Sequence, residues 1–274
     1  MNPRLQIERS IITKYRKPIW HNFTRALNAY RLIEPGDHIA ACISGGKDSF
    51  LLAKLLQEVQ RHGEVPFRLS FLTMDPGYNP LNRRLIEENA ALMGLDLAVF
   101  DTDIFRVVAG MDKNPCYMCA RMRRGHLYKN ARTLGANKIA LGHHFDDVIE
   151  TILMSMLYGA EMKTMMPKLR SANYEGMELI RPLYMVRERD IVAWRDYNRL
   201  TFLRCACRFT EQDENNAGNG KRAEIKALIA QLRKVNPNVE MNIFRSCHDV
   251  NLDTLIGYKK GGVAHPFVEE YGAE

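Results

Sequence analysis

The sequence predicts an α/β fold in which a parallel β-sheet is covered by helices and flanked by helical segments at both ends. Three observations carry this expectation. Short apolar runs and amphipathic stretches alternate between residues 38 and 157 at the spacing of βαβ units, which is how parallel strands are joined. The run His38–Ile43 is short and apolar almost throughout, as suits a strand buried on both faces. The chain has 274 residues, 46% of them hydrophobic and 26% charged. A chain of that size buries roughly three quarters of its unfolded surface and needs no disulfides to hold a core.

Taken in order, residues 1–33 form an N-terminal helical segment, with Ile11, Tyr15, Ile19, Phe23 and Leu27 set against Arg9, Lys14, Arg16 and Arg25. Pro18 should start a new helix there or kink the old one. The turn Glu34–Pro35–Gly36 precedes the first strand, His38–Ile43, and a loop at 44–49 follows it. Phe50, Leu51, Leu52, Leu55, Leu56 and Val59 then mark a helix ending near Gly63. Phe67–Met74 is the second strand, Leu81–Met93 a helix stopped by Gly94, and Leu95–Phe100 the third strand. Residues 116–134 are helical, Lys138–Gly142 is the fourth strand, and Val148–Leu157 is a further helix. Beyond 160 the pattern loosens into a strand at Leu179–Tyr184, a helix at 187–199 and an Asn/Gly-rich loop at 211–222. A charged helix at 221–235 and helical residues over roughly 240–256 come next, and the tail from Gly261 is expected to be poorly ordered. The expected organisation is therefore a helical segment 1–33, an α/β domain 34–210 carrying a cysteine site, and a C-terminal helical extension and tail 211–274.

Lys and Arg number 39 against 32 Asp and Glu, a net charge of +7 that favours a polyanionic partner. No run of about 18 apolar residues exists, which removes a transmembrane helix. Met1–Ser10 mixes charges with apolar residues and lacks a secretory h-region. The expectation is a cytoplasmic protein with reduced thiols and no membrane partner. Of the six cysteines, Cys116 and Cys119 form a CxxC and Cys205 and Cys207 a CxC, a pattern that suggests a metal or redox site. Cys42 sits in an apolar run as a core thiol, and Cys247 has no assigned role.

The strongest motif is Ser44–Gly45–Gly46–Lys47–Asp48–Ser49, set between a strand and a helix. Glycines let the backbone turn tightly and approach a ligand, and the following helix offers unpaired N–H groups and a positive dipole end. Lys47 adds a cation, and the serines add hydroxyls, so the loop suits a phosphate or pyrophosphate. It is not GxxxxGK[ST], because its glycines are adjacent. A tight βα turn alone would explain the glycines but not the other four residues. Gly142–His143–His144 and Asp146–Asp147 follow the fourth strand, on the sheet edge where open α/β folds bind ligands. The two acids can hold Mg2+ or orient a substrate, or they can simply stabilise the next helix. Met74–Asp75–Pro76–Gly77–Tyr78 ends the second strand on the same edge, and a Pro–Gly turn explains part of it. Arg121, Arg123 and Arg124 follow the CxxC, either reaching phosphates or forming a solvated face.

SGGKDS at the first βα turn resembles the PP-loop of the N-type ATP pyrophosphatase superfamily, whose members adenylate a substrate and release pyrophosphate. Pro115–Cys116–Tyr117–Met118–Cys119 with its arginines, Leu141–Gly142–His143–His144–Phe145–Asp146–Asp147 and Ile180–Arg181–Pro182–Leu183 narrow the likeness. In this order they resemble the TtcA family of tRNA 2-thiocytidine synthetases, well over about 30–210 and weakly beyond. The resemblance implies a Rossmann-like PP-loop ATP pyrophosphatase domain that binds ATP and Mg2+. It assigns nucleotide and cofactor contacts to Ser44, Gly45, Gly46, Lys47, Asp48, Ser49, Asp75, Gly142, His143 and Asp147. Asp146, Lys47, Cys116 and Cys119 become the catalytic candidates. It further implies a [4Fe–4S] cluster on Cys116, Cys119 and a later cysteine. The family's later site is usually a second CxxC, whereas this chain has Cys205–Ala206–Cys207, so either Cys205 or Cys207 is the third ligand. Four thiolates closing a zinc site are the alternative.

The implied activity is ATP-dependent thiolation of a tRNA cytidine at anticodon-loop position 32, with sulfur from a cysteine desulfurase or another sulfide donor, and with a homodimer left open. Two other readings compete. One is an amine-ligating enzyme resembling the tRNA lysidine synthetases, with structural zinc. The other is a non-enzymatic, zinc-stabilised RNA-binding protein, against which the intact SGGKDS argues.

Overall fold

A computed structural model describes residues 2–110, 115–203 and 220–271. Its centre is a six-stranded sheet built from β1 (His38–Ile43), β2 (Arg68–Asp75), β3 (Leu97–Asp101), β4 (Lys138–Ala140), β5 (Lys168–Arg170) and β6 (Glu178–Ile180). The strands lie in the order β3-β2-β1-β4-β6-β5. All neighbours are parallel except β5, which runs antiparallel to β6 on the edge. This is the α/β class the alternation predicts. Ile39, Ala41 and Ile43 of β1 enter one core, while Ala40 and Cys42 enter another on the opposite face. Side chains alternate across a strand, so a strand with both faces covered is apolar at every step.

Helices α3 (Lys47–His62), α4 (Pro80–Met93) and α8 (Glu188–Tyr197) line the first core, joined by the N-terminal helices α1 (Pro3–Ile12) and α2 (Asn22–Ala29). Ile7, Ile11, Ile19 and Phe23 are buried there beside Phe50, Leu51 and Trp194. Between α1 and α2 the chain makes a π-helical turn, Arg16–His21, in which the Trp20 amide reaches back to the Tyr15 carbonyl. Pro18 lacks an amide hydrogen, and the wider turn accommodates it without stopping the helical path. Helix α6 (Pro115–Thr133) covers the other face, through Tyr128 and Ala131, and α5 (Ile104–Ala109) adjoins it. Helix α7 (Phe145–Gly159) follows β4 and packs against α9 (Lys221–Val235) and α10 (Val239–Ser246).

The structure departs from expectation in the C-terminal third. Of the strand expected at Leu179–Tyr184, only Leu179 and Ile180 belong to β6, which begins one residue earlier at Glu178; Pro182 has no amide to donate and Arg181–Val186 turns instead. The helix expected to about 256 stops at Ser246, followed by a 3₁₀ turn at Leu252–Thr254. The tail holds a hairpin, β7 (Gly257–Lys260) with β8 (Val263–Pro266), and then α11 (Phe267–Glu270). Gly261 and Gly262 both adopt positive φ, as a two-residue hairpin turn demands. Tyr258 stacks on His265 across the strands at 4.7 Å between ring centres. The paired glycines are the local sequence signal for this turn.

Candidate active site

The strand order reverses between β1 and β4, so the loops after these two strands diverge from a crevice at the carboxyl edge of the sheet, where such folds bind ligands. The loop after β1 is Ser44–Gly46, and α3 starts at Lys47 with its N-terminal amides facing the crevice side. Gly45 has φ +87°, and a side chain there would come within 2.6 Å of Leu203. Leu203 in turn donates its amide to the Gly45 carbonyl at 3.1 Å. Phe202 sits between Phe50 and Trp194, which anchors this approach. Ser49 pins the loop: its hydroxyl accepts from the Ser44 amide at 3.1 Å and donates to the Gly46 carbonyl at 2.8 Å.

The loop after β4 comes close to this one. At Gly142 a Cβ would meet the Ser49 amide nitrogen at 3.0 Å and the Asp48 carbonyl carbon at 3.1 Å. Only glycine lets these backbones approach so closely. Together the two loops, with Met74, Leu127 and Arg123, line a cavity of about 290 Å³ that includes Ser44, Asp48, Ser49, Gly142, His143 and Asp147. Among the described residues, two of its polar atoms, Asp48 Oδ1 and His143 Nδ1, are buried without a hydrogen-bond partner. Buried polar groups are nearly always satisfied, so this pair marks a place where a polar ligand belongs. Burial raises the Asp48 carboxyl above its ordinary range, against the pull of His144 and Lys47. Burial, aided by Arg181, pushes His143 down to about 4, so its imidazole is neutral at pH 7.

Other predicted residues surround the cavity in supporting contacts. Lys47 Nζ lies 3.2 Å from Asp48 and 3.1 Å from Glu188. Burial disfavours the Glu188 carboxylate, but Lys47 and Lys226 outweigh it and hold the group at about 2. Asp146 accepts the Glu188 amide at 2.7 Å, tying the start of α7 to the start of α8, and does not line the cavity. Asp147 does line it, while accepting the His144 amide at 3.0 Å and holding Arg222 at 2.8 Å. Asp75 accepts the amides of Gly77 and Tyr78 and pairs with Arg83 at 2.7 Å. It shapes its own loop, whose Tyr78 hydroxyl donates to the Ser44 carbonyl and accepts from Arg123. Sequence reasoning missed Glu188 and quoted Tyr78 only as part of its loop; they lie 141 and 34 positions from their partners in the Ser44–Ser49 turn. No local spacing could have found them.

Helix α6 carries the cysteine motif to the same side. Cys119 is half-buried against Met74, Ile104 and Val108, one helical turn before Arg123 at the cavity wall. Cys116 lies in the first turn of α6, but its side chain is outside the described residues, as are Cys205 and Cys207. Among the described residues no group of three or more His, Cys, Asp or Glu is arranged to hold a metal ion. Cys42 also borders the cavity, yet its thiol is buried and pushed up to about 12, which keeps it protonated and unreactive.

A crevice at the switch point, lined by Ser44, Asp48 and Ser49 of an SGGKDS turn, defines a PP-loop protein, and the PP-loop domain family matches residues 18–232. The chain is 33% identical to the tRNA-cytidine(32) 2-sulfurtransferase of Photobacterium profundum over 245 residues, 88% of this chain and 79% of that protein. It is 35% identical to the tRNA-cytidine(32) 2-sulfurtransferase of Vibrio cholerae over 243 residues, 86% of this chain and 75% of that protein. The chain therefore belongs to the tRNA-cytidine(32) 2-sulfurtransferase family, in agreement with the likeness its motifs carry. Among solved structures, the U34-tRNA thiolase NcsA of Methanococcus maripaludis, determined with its [4Fe–4S] cluster, superposes with a TM-score of 0.65 at 18% identity. That match covers 88% of this chain and 80% of the thiolase and establishes a shared fold.

Proposed function

We propose that this chain is an ATP-dependent tRNA sulfurtransferase that replaces the C2 oxygen of cytidine 32 in the anticodon loop with sulfur. The observation that carries the reading is the crevice itself: phosphate-binding backbone, two buried polar atoms awaiting a ligand and a CxxC helix converge on one cavity. The family's named activity supplies the substrate.

The phosphates of ATP rest on the amides of Gly46–Ser49, with Lys47 and Arg123 as cations. Asp48 and Asp147 face the same space and suit an Mg2+ ion between them and the phosphates. The cytidine C2 oxygen attacks the α-phosphorus, the bond to the bridging oxygen breaks, and pyrophosphate leaves. The positive end of α3 and Lys47 stabilise the charge that develops. A sulfur nucleophile then adds at C2, the C2–O bond breaks, and AMP departs with the oxygen. Asp146 holds α7 against α8 and so keeps Glu188 beside Lys47, a positioning role. Neutral His143 offers a hydrogen bond to the nucleotide without adding charge.

The thiolates of Cys116 and Cys119, with that of Cys205 or Cys207, would be three ligands to a [4Fe–4S] cluster. Such a cluster would supply bound sulfide at the crevice; a cysteine desulfurase or another sulfide donor would replenish it. We place the enzyme in the cytoplasm, where thiols stay reduced; none of its described helices is long and apolar enough to cross a membrane.

Anaerobically purified protein, incubated with unmodified tRNA, ATP, Mg2+ and sulfide, should yield 2-thiocytidine on nucleoside mass spectrometry. Cys116→Ser and Cys119→Ser should abolish it while leaving ATP binding intact. Full activity in those folded variants, or one zinc per chain without iron, would overturn the sulfur mechanism and favour an amine-ligating PP-loop enzyme.

A further inference from the structure

A second cavity, of about 230 Å³, lies on the far side of the first turn of α7 and takes no part in the chemistry above. Asp147 of that turn lines the nucleotide crevice, while Phe145 lines this second cavity. One helical turn spans about 5.4 Å, so the two spaces are near neighbours. The second is walled by a column of rings. Phe145 stacks on Phe244 at 4.9 Å between centres, and Phe244 meets His248 at 4.7 Å. The column ends on His248, which is exposed. His248 is held in place from both nitrogens, with Nδ1 at 3.0 Å from the Phe244 carbonyl and Nε2 at 3.0 Å from the Tyr30 hydroxyl. A carbonyl only accepts, so Nδ1 donates and the neutral ring takes the Tyr30 proton at Nε2. Arg25 and Arg245 stand at the rim, both exposed. Neither pairs with a carboxylate among the described residues, although Asp249 shares the rim.

A fixed, exposed aromatic face beside two uncommitted guanidinium groups is the chemistry that binds an unstacked nucleotide, base on ring and phosphate on arginine. We infer that this cavity is an RNA subsite that holds an unpaired nucleotide of the substrate loop while the target base occupies the neighbouring crevice. The inference rests on the tRNA reading above and extends it to a surface outside the nucleotide site. Its elements come from α2 and α10, so it also gives the N-terminal and C-terminal helices a joint role in RNA binding.

The test uses the full chain, unmodified tRNA as the probe, and affinity measured across salt concentrations. Arg25→Glu with Arg245→Glu should weaken tRNA binding at least about tenfold and flatten the salt dependence by roughly two phosphate contacts. His248→Ala should weaken it about fivefold or more with the salt slope unchanged, since stacking and not charge is lost. The two arginine side chains are exposed, so circular dichroism melts of the double variant should match the parent chain; His248→Ala also gives up the Tyr30 bond, and retained ATP binding shows that it is folded. A 4-thiouridine anticodon stem-loop should cross-link to the peptide holding His248. If the variants bind tRNA with unaltered affinity and slope, the subsite is overturned while the tRNA reading stands. If the parent chain binds ATP but no tRNA, it is the tRNA reading that falls.

Discussion

Lys47 is the residue on which the proposed PP-loop chemistry turns. Its ammonium reaches Asp48 and Glu188, and Arg123 lines the crevice beside Asp48. Replacing it with alanine should lower ATP turnover by on the order of 10²-fold, as removal of one charge-stabilising donor does elsewhere. Thermal stability should move little, because Glu188 keeps Lys226 at 3.1 Å. Steady-state pyrophosphate release and a melting curve separate the two effects. His143 offers a second check at this scale. Burial and the neighbouring Arg181 disfavour its charged form, so its ring should titrate near 4 by NMR, well below the usual histidine range. A protonation midpoint near 6.5 would show that the imidazole is solvated and that the crevice is more open than described.

At the scale of elements, the site is a meeting of two turns that share one contact. Gly142 after β4 faces the backbone of Asp48 and Ser49 at 3.0–3.1 Å from where a Cβ would sit. Gly142→Ala must therefore move the start of α3, because backbone on the opposing side cannot rotate away as a flexible side chain can. The amides proposed to bind phosphate move with it. A loss of about tenfold in kcat/KM for ATP is expected, with only a few degrees of change in Tm, since small displacements of aligned groups cost catalysis more than stability. Kinetics at several ATP concentrations with a parallel melt would test this. Asp146 works at the same scale, joining the N-terminus of α8 to that of α7. The β1 strand, helix α3 and the glycine stop at Gly94 were legible because each rests on a local rule: continuous apolarity, 3.6-residue periodicity, or a left-handed cap. Strand β5 was not legible. Its three residues, Lys168–Arg170, are polar at both ends and are strand only because β6 pairs with them.

For the whole molecule, the N-terminal helix is fastened by a buried charge cluster. Lys54 is fully buried on α3 and meets Glu8 of α1 at 2.6 Å, with Gln57 and the Met93 carbonyl as further partners. Glu8 also receives Arg4 and Arg61. Burial raises the Glu8 pKa, but Lys54, Arg61 and Arg4 overcome this and hold it at about 2 instead of 4.5. The unfolded chain therefore takes up this proton first as the solution is acidified. The stabilisation is complete above about pH 4.5 and is lost as pH falls toward 2. Glu8→Gln leaves a buried ammonium without its counter-charge and should cost about 3 kcal/mol. That corresponds to a drop of roughly 6–12 °C in Tm near neutral pH. The variant's stability should also vary less between pH 4.5 and 3 than the parent's. Equal melting temperatures at pH 7 would show that α1 is held by apolar packing alone.

The sequence by itself determined the α/β class, the position of the PP-loop turn and the family, because these depend on short-range patterns and on motifs a few residues long. It named Ser44, Asp48, Ser49, Gly142, His143 and Asp147, which the fold brings to one cavity. Tertiary structure alone decided how the acids divide: Asp147 faces the cavity, while Asp146 and Asp75 hold backbone amides. It alone placed Glu188 and Tyr78 beside the loop, and assembled the second cavity from α2, α7 and α10. These contacts join positions tens to hundreds of residues apart. They follow from how apolar faces pack, and one chain's residue order does not encode them locally.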